Sequence, residues 1–581
     1  AIIIIIKKDV MYAKVIIDQD AKALDRVFEY IVPDDLDIVT GMRLYVPFGS
    51  RILQGFVVDL CDRCEYDPSK LKKIISKIDD FPAIKQEMLS LMQYMAKKNH
   101  LKLASILRLF IPAEMREGKV KELFETHYLF NAEIEINIAK NAKKQQEIID
   151  YLKNHNNHAS SSELNQFGYG AIKALTDKCI LIKEKREVRR APFVISETAK
   201  KVKLNVDQQK AVEKITEDKP YLLHGLTGSG KTEVYMHLIE RALTQGKNAI
   251  MLVPEISLTP QIMSNFKSRF GDAVALLHSG LSAGERFDEW KRLFSGEARI
   301  AIGARSAIFA PLENLGMIII DEEHEQSYIS ESNPRFDTHD VAQFRARFNK
   351  CPLVFGSATP SIESYEKALQ GLYSLVELPV RANGKELPKI QIIDMMAEIR
   401  TGNSGIFSNQ LLADLTNVVN NKKQAMIFIN RRGYSSFQRC RDCGYIAKCV
   451  DCDVSLVYHR EDNRLKCHYC GKQYKVLTRC PKCGSENIKN GAVGTEQVVS
   501  KLKEYFPDVK ILRMDNDTTS TKNAHQKILN EFKNSLPAIL VGTQMIAKGH
   551  DFENVVLVGI VDADQSLYHA DYRSTERTFQ L

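Results

Sequence analysis

From Val202 onward the chain repeats one pattern: a short apolar run, a turn, then a helical stretch. The runs are YLLHG, AIMLVP, ARIAIG, MIIID, CPLVFG, QAMIFIN, AILVGT and VVLVGIVD, each four to eight residues long. Most end in Gly, Pro or a polar residue. Buried parallel strands read this way in a doubly wound α/β fold, where helices cover both faces of the sheet. The set extends over about 370 residues, more than one sheet with one core supports. Two parallel-sheet lobes are therefore expected, joined near Pro379 to Pro388.

The first run leads into GLTGSGKT, which places Gly225, Gly230, Lys231 and Thr232 as G-x-x-x-x-G-K-T between a strand and a helix. That context makes the spacing a phosphate-binding loop. Its backbone N–H groups, from Gly225 through Leu226, Thr227, Gly228, Ser229 and Gly230, would surround the phosphates of ATP, and the helix N-terminus adds positive potential. Lys231 would reach the β- and γ-phosphates, and Thr232 would give a hydroxyl to Mg²⁺. Downstream, MIIIDEEHEQ sets Asp321 and Glu322 at the carboxyl end of a buried strand, where ligands sit in open α/β sheets. Asp321 is placed to hold the Mg²⁺ shell and Glu322 to orient or deprotonate the attacking water. A catalytic zinc at Glu322, Glu323 and His324 is disfavoured, because H-E-x-x-H is absent.

Of twelve cysteines, eight form four C-x-x-C knuckles: Cys440/Cys443, Cys449/Cys452, Cys467/Cys470 and Cys480/Cys483. Two knuckles complete a tetrahedral site of four thiolates, so two structural Zn²⁺ ions are expected. Spacing leaves three ways to pair the knuckles. Of the other four, Cys61 and Cys64 form a C-x-x-C that lacks a second knuckle and reads as incidental.

Upstream, residues from about 11 to 112 read as a β-rich unit closed by a helical stretch, Ile84 to Phe110. Residues from about 140 to 190 give helix, helix, helix and a basic hairpin. That is the order of a winged helix; pattern alone also fits a plain three-helix unit. Apolar residues at 44% and charged residues at 27% exclude wholesale disorder. A net charge of +8 permits a nucleic-acid partner without demanding one. The opening run Ile2 to Ile6 is too short for a membrane span and at most an edge strand, and no other run reaches a span's length, so no membrane is expected and the cytoplasm is the default location.

GLTGSGKT, DEEH and GSATPS together are motifs I, II and III of superfamily 2 helicases. With PEISLTPQ, HSGLS, GARSAIFAPL, FINRRGY, the paired cysteines and VGTQMIAKGHDF, the chain resembles the PriA (primosomal protein N-prime) family of bacterial replication-restart DNA helicases from about Tyr12 onward. The resemblance implies an ATP-dependent 3′-to-5′ helicase that recognises stalled or branched forks and starts primosome assembly. It implies a 3′-end-binding domain (1–112), a winged-helix domain (113–200), helicase lobe 1 (201–380), lobe 2 in two parts (381–439 and 486–581) and a zinc insertion (440–485).

Residue by residue, Gln208 matches the glutamine that reads adenine, and His324 would couple hydrolysis to DNA. Arg305, Thr543 and Gln544 fall in motifs that contact DNA or nucleotide. Tyr328 and Phe336 would belong to an aromatic-rich loop sensing single-stranded DNA, since aromatic faces stack bases of any sequence. Phe28, Glu29, Gly49 and Lys72 would line the 3′-end pocket, with Glu29 where the family commonly has Asp. The family's zinc sites are nested: Cys440, Cys443, Cys480 and Cys483 for one ion, Cys449, Cys452, Cys467 and Cys470 for the other.

Implied partners are forked and single-stranded DNA, DNA 3′ ends, single-stranded DNA-binding protein, other primosome proteins and the replicative helicase loading system; association with the nucleoid follows. The family continues with Q-x-x-G-R-x-G-R, whereas this chain stops at YRSTERTFQL. Arginines that stabilise a transferring phosphoryl are worth about 10³–10⁵ in rate. The expectation is a chain that binds ATP and DNA but turns ATP over slowly. The alternative is an ATP-switched fork-binding scaffold without efficient unwinding.

Overall fold

The structure is a computed structural model. It describes residues 11–190 and 202–580, except 117, 119, 121–122, 135, 137, 140–141, 255–259, 385, 404, 430–436, 441, 460–461, 491–493, 516–517, 519–523, 544–545, 547–551 and 569–570. The Ile-rich start, Gln544, and most of the FINRRGY and VGTQMIAKGHDF motifs lie outside the described residues.

Lobe 1 is a 7-stranded sheet. In spatial order its strands are Val274–Leu277, Ile300–Gly303, Asn248–Leu252, Leu315–Asp321, Leu353–Ser357, Pro220–Gly225 and Ser374–Leu378. Every neighbouring pair is parallel. These strands are buried almost throughout, which is why they read as continuous apolar runs rather than as alternation. Parallel pairing brings all their carboxyl ends to one edge. Asp321 registers with Gly356, and Gly356 with Leu223, so motifs I, II and III emerge side by side.

Lobe 2 is a 4-stranded parallel sheet in the order Lys510–Met514, Ala538–Gly542, Gln424–Ile429 and Val555–Val561. The zinc insertion leaves and returns through an antiparallel pair, Gln438–Cys440 with Ile488–Asn490. Arg439 fixes its base to lobe 2 through an ion pair of 3.0 Å with Asp562.

The amino-terminal unit is a 5-stranded sheet ordered Val27–Ile31, Tyr12–Ile17, Arg51–Cys61, Arg43–Phe48 and Ser76–Lys77, antiparallel throughout. Its helical tail is two helices, Gln86–Asn99 and Leu103–Phe110, broken after His100 turns left-handed at φ 52. These helices pack on the β unit, where Arg108 pairs with Asp18 and Lys102 with Asp20, and on lobe 1 as well. Met88, Leu91, Leu107 and Phe110 share one apolar cluster with Leu222, Ile318 and Phe355 of lobe 1. At about 1.5–3 kcal/mol per fully buried large side chain, that cluster, which also holds Ile16 and Phe56 of the β unit, joins the amino-terminal unit to lobe 1.

Residues 123–188 fold separately. Helices Lys143–Asn154, Ser161–Leu164 and Tyr169–Asp177 pack on a 3-stranded sheet ordered His158–Ser160, Leu123–Phe130, Leu181–Val188. The basic strand Leu181–Val188 pairs antiparallel with Leu123–Phe130, which precedes the helices. The hairpin expected after the third helix is therefore a long-range pair.

Candidate functional site

The phosphate loop joins Pro220–Gly225 to the helix Lys231–Thr244. Gly228 and Gly230 adopt φ 81 and 82, a region that favours glycine. A Cβ on Gly230 would stand 2.2 Å from Gln208 Nε2. Lys231 Nζ donates to Gly225 O at 3.0 Å, which holds its charge over the loop. Ser229 Oγ is buried with no hydrogen-bond partner. An orphaned donor inside a glycine-lined turn, at the start of a 14-residue helix, fits phosphate oxygens. Gln208 is 4% exposed and braces this loop. Its Nε2 donates to Ser229 O at 2.9 Å, and its Oε1 accepts from Asn205 N at 2.9 Å.

Motif II sits close by on the same sheet edge. Tyr235, fully buried one turn along the phosphate-loop helix, donates its hydroxyl to Asp321 Oδ1 at 2.9 Å. Burial, then the Asp321 charge, pushes the Tyr235 hydroxyl well above its usual pKa, so it stays a donor. Gly356 makes room for it, because a Cβ there would lie 1.7 Å from the Tyr235 hydroxyl. Asp321 and Thr232 are the groups that could hold Mg²⁺, whose charge would offset that of the phosphates. Glu322 has φ 46, an uncommon conformation for a non-glycine and one that functional sites retain at a cost of about 1–3 kcal/mol.

Motif II is wired to motif III by two routes. His324 Nδ1 lies 2.7 Å from Ser357 Oγ, which accepts from Thr359 N at 3.0 Å. Glu323, 2% exposed, accepts from Ser361 N at 2.7 Å and from Ser364 Oγ at 2.8 Å. His339 stands 3.4 Å from Glu323 and 2.9 Å from Asp337. Burial pulls the His339 pKa down, but the two carboxylates outweigh it and lift it to about 9. Lobe 2 reaches the same place. Glu576 Oε1 accepts from Ile362 N at 3.0 Å, and Arg573 pairs with Glu363. The amino end of the helix Ile362–Leu369 is thus held by Glu323 from one lobe and Glu576 from the other.

The expected DNA-facing aromatics are placed differently. Tyr328 is 0% exposed and donates to Asp321 O at 2.7 Å, so it supports motif II from below. Phe336 is 6% exposed, edge-on to Phe309 at 5.1 Å. Neither presents a face for base stacking, because Tyr328 is enclosed between motif II and His339 and Phe336 packs between Phe309 and Arg305. Arg305 holds the segment in place, donating to Ser327 O at 3.3 Å and Ile329 O at 2.7 Å. Thr543 lies just past the strand Ala538–Gly542, half-buried, its N 3.4 Å from Met514 O.

The amino-terminal candidates divide between two faces. Phe28 packs with Phe48 at 5.3 Å, and Lys72 Nζ donates to Gly49 O at 3.1 Å. Glu29 points the other way, as adjacent residues of a strand must. It is buried and accepts from Glu65 N at 2.9 Å and Tyr66 N at 3.4 Å.

The cysteines converge into two groups, Cys440/Cys443/Cys480/Cys483 and Cys449/Cys452/Cys467/Cys470, with all sulfurs of a group within 4.8 Å. Sulfur separations of 3.6, 3.4 and 3.7 Å for Cys440–Cys483, Cys443–Cys480 and Cys449–Cys470 match the roughly 3.8 Å edge of a tetrahedron with Zn–S bonds of about 2.3 Å. The pairing left open by spacing is therefore nested. Each knuckle closes the same way: Gly444, Asp453, Gly471 and Gly484 donate back to the first cysteine's carbonyl at 2.9 to 3.0 Å. Asp453, at φ 52, takes the left-handed position glycine occupies in the other three. Tyr474 OH lies 3.2 Å from Cys449 Sγ.

Comparison with known proteins decides the family. Residues 14–112 match the PriA 3′ DNA-binding domain, 205–368 the DEAD/DEAH box helicase, 449–475 the PriA DNA helicase Cys-rich region and 485–578 the helicase conserved C-terminal domain. Replication restart protein PriA of Bacillus subtilis (strain 168) is 39% identical over 649 residues, covering 98% of this chain and 81% of the relative. The chain belongs to the PriA family. The Haemophilus influenzae PriA is 34% identical over 97% of this chain and 78% of its own length. The Synechocystis PriA is 46% identical over 62% of this chain and 44% of its own. As a PriA, the chain is a replication-restart DNA helicase of forked DNA that uses ATP with Mg²⁺ and carries two Zn²⁺.

Sequence reasoning missed Tyr235, His339 and the double grip on the helix Ile362–Leu369. Tyr235 had one usable signal: four residues beyond Lys231, it shares that residue's helical face. What the pattern does not announce is the contact of His339 with Glu323 and of Glu576 with Ile362, which join separate elements. Among the described residues, no helix is long and apolar enough to cross a membrane.

Proposed function

We propose that this protein moves 3′ to 5′ along one DNA strand, alternating closure of its lobes at the amino end of the helix Ile362–Leu369. The observation that carries the lobe closure is the double contact of Glu323 and Glu576 on that helix end, and the polarity is the one the family resemblance implies. Bound ATP would supply phosphate charge at the loop and a bond whose cleavage releases it. Lys231 and the loop amides bind that charge; Thr232 and Asp321 orient Mg²⁺; Glu322 takes the proton of the attacking water. His324 and Glu323 pass the state of motif II to Ser357 and Ser361.

The face bearing Phe28, Gly49 and Lys72 would meet a DNA 3′ end. Glu29 would act indirectly, by holding the Glu65–Tyr66 turn. Arg305, Thr543 and Gln544 would border the translocating strand. Tyr328 and Phe336 would brace motif II while the exposed turn around residues 331–335 meets DNA. Residues 123–188 would act as a winged helix on the duplex arm. Single-stranded DNA-binding protein, other primosome proteins and the helicase-loading system would be the protein partners, at the nucleoid in the cytoplasm.

Strand separation on forks with a single-stranded tail of one polarity tests this. Displacement driven only from the polarity that 3′-to-5′ movement requires supports it. Fork binding without displacement would favour the ATP-switched scaffold.

A further inference from the structure

Beyond the last lobe 1 strand, Ser374–Leu378, the chain does not run straight to lobe 2. It turns back along the phosphate loop. Leu226 N donates to Leu378 O at 3.2 Å, Arg381 Nε to Thr227 O at 3.2 Å, and Ala382 N to Gly228 O at 2.8 Å. Arg381 Nη1 also donates to Glu386 O at 3.2 Å, which ties the strap to itself. The loop glycines allow this approach. A Cβ on Gly225 would lie 3.0 Å from Leu378 Cβ, one on Gly228 3.2 Å from Arg381 Nε, and one on Gly230 3.6 Å from Ala382 Cβ.

Gln208 takes the next carbonyl, that of Ser229, so consecutive carbonyls of the loop are all held from outside. In a trans peptide the C=O and the following N–H point opposite ways. Holding the Thr227 and Ser229 carbonyls outward therefore aims the Gly228 and Gly230 N–H groups inward, toward an anion. The gripping strap is also the segment that joins the lobes. Any movement of lobe 2 that pulls residues 381–386 pulls on these carbonyls.

We propose that Arg381 is a positioning residue of the ATP site, and that through it the inter-lobe linker reports phosphate occupancy. The proposal rests on nucleotide binding at this loop. By reciprocity, if the held linker favours nucleotide binding, bound nucleotide favours the held linker by the same coupling free energy.

The test uses the full chain as wild type, Arg381→Ala and Arg381→Lys. Affinity is read with a fluorescent ADP and Mg²⁺, and backbone hydrogen exchange is followed over 226–230 and 379–388. Loss of one such hydrogen bond predicts affinity weakened about three- to tenfold in Arg381→Ala. Nucleotide-induced protection of 379–388 should be present in wild type and lost in the variant. Arg381→Lys keeps the charge but cannot span Thr227 O and Glu386 O together, so it should stay weakened. If thermal melting shows Arg381→Ala unfolded, the lysine variant carries the test. Wild-type affinity and exchange in Arg381→Ala, or full rescue by lysine, would overturn positioning. Failure of wild type to bind ADP would remove the ATP-site reading and the proposal with it.

Discussion

Arg345 and Glu87, 258 residues apart, form a buried fork: Nε to Oε1 at 2.6 Å and Nη2 to Oε2 at 3.2 Å. The guanidinium also donates to Ile308 O, Ala310 O and Leu312 O at 2.6 to 3.0 Å. Glu87 belongs to the helix Gln86–Asn99, so this pair fixes the amino-terminal unit to lobe 1. Arg345→Met would leave the carboxylate buried without a counter-charge, at a cost of about 3–5 kcal/mol. Urea unfolding should register that loss. Arg345→Met combined with Glu87→Met should lose less than Arg345→Met alone; a strictly additive double variant would argue against the coupling.

The nested zinc sites predict separable losses. Cys467→Ser should remove the inner ion and Cys480→Ser the outer, each dropping bound zinc by one ion per chain by elemental analysis. The insertion has only a small apolar cluster, including Ala447, Leu456 and Leu465, so chelation should unfold it while the lobes keep their structure. Loss of both ions from Cys467→Ser alone would point to a shared cluster instead.

Tyr235→Phe tests how Asp321 is aimed. Removing the hydroxyl leaves Oδ1 without this donor. Nucleotide affinity measured with Mg²⁺ should weaken by about three- to tenfold, with little change in EDTA. Equal weakening in both would assign Tyr235 to the loop rather than to the metal.

His339 predicts a pH signature. Its folded pKa, about 9, lies above the ordinary imidazole value of 6.5. Its stabilising contribution is therefore complete below pH 6.5 and is lost as pH rises through 9. Melting temperature should fall between about pH 7 and pH 9.5 in wild type, and more shallowly in His339→Gln. The same slope in both would place the pH dependence elsewhere.

The parallel lobes, phosphate loop, motif II carboxylates and cysteine knuckles are legible because each is written in local spacing: four apolar residues before Asp321, six positions from Gly225 to Lys231, two between paired cysteines. The pairing of knuckles is not, since spacing is silent on which strands return together. That helices Gln86–Asn99 and Leu103–Phe110 also pack on lobe 1 is not legible, because periodicity shows that a face is buried, not against what. Tyr328 is misplaced by its sequence context because aromatic density suggests stacking, while its hydroxyl has a backbone partner, Asp321 O, that no pattern announces. That Phe28 and Glu29 leave opposite sides of their strand follows from a rule the sequence does contain, the alternation of neighbouring side chains.

The most direct test of ATP-driven strand movement is DNA-stimulated ATP hydrolysis by wild type and Lys231→Ala, alongside fork affinity. The account predicts turnover that forked DNA raises in wild type and that Lys231→Ala abolishes with fork binding intact. Equal turnover by the two proteins would contradict it.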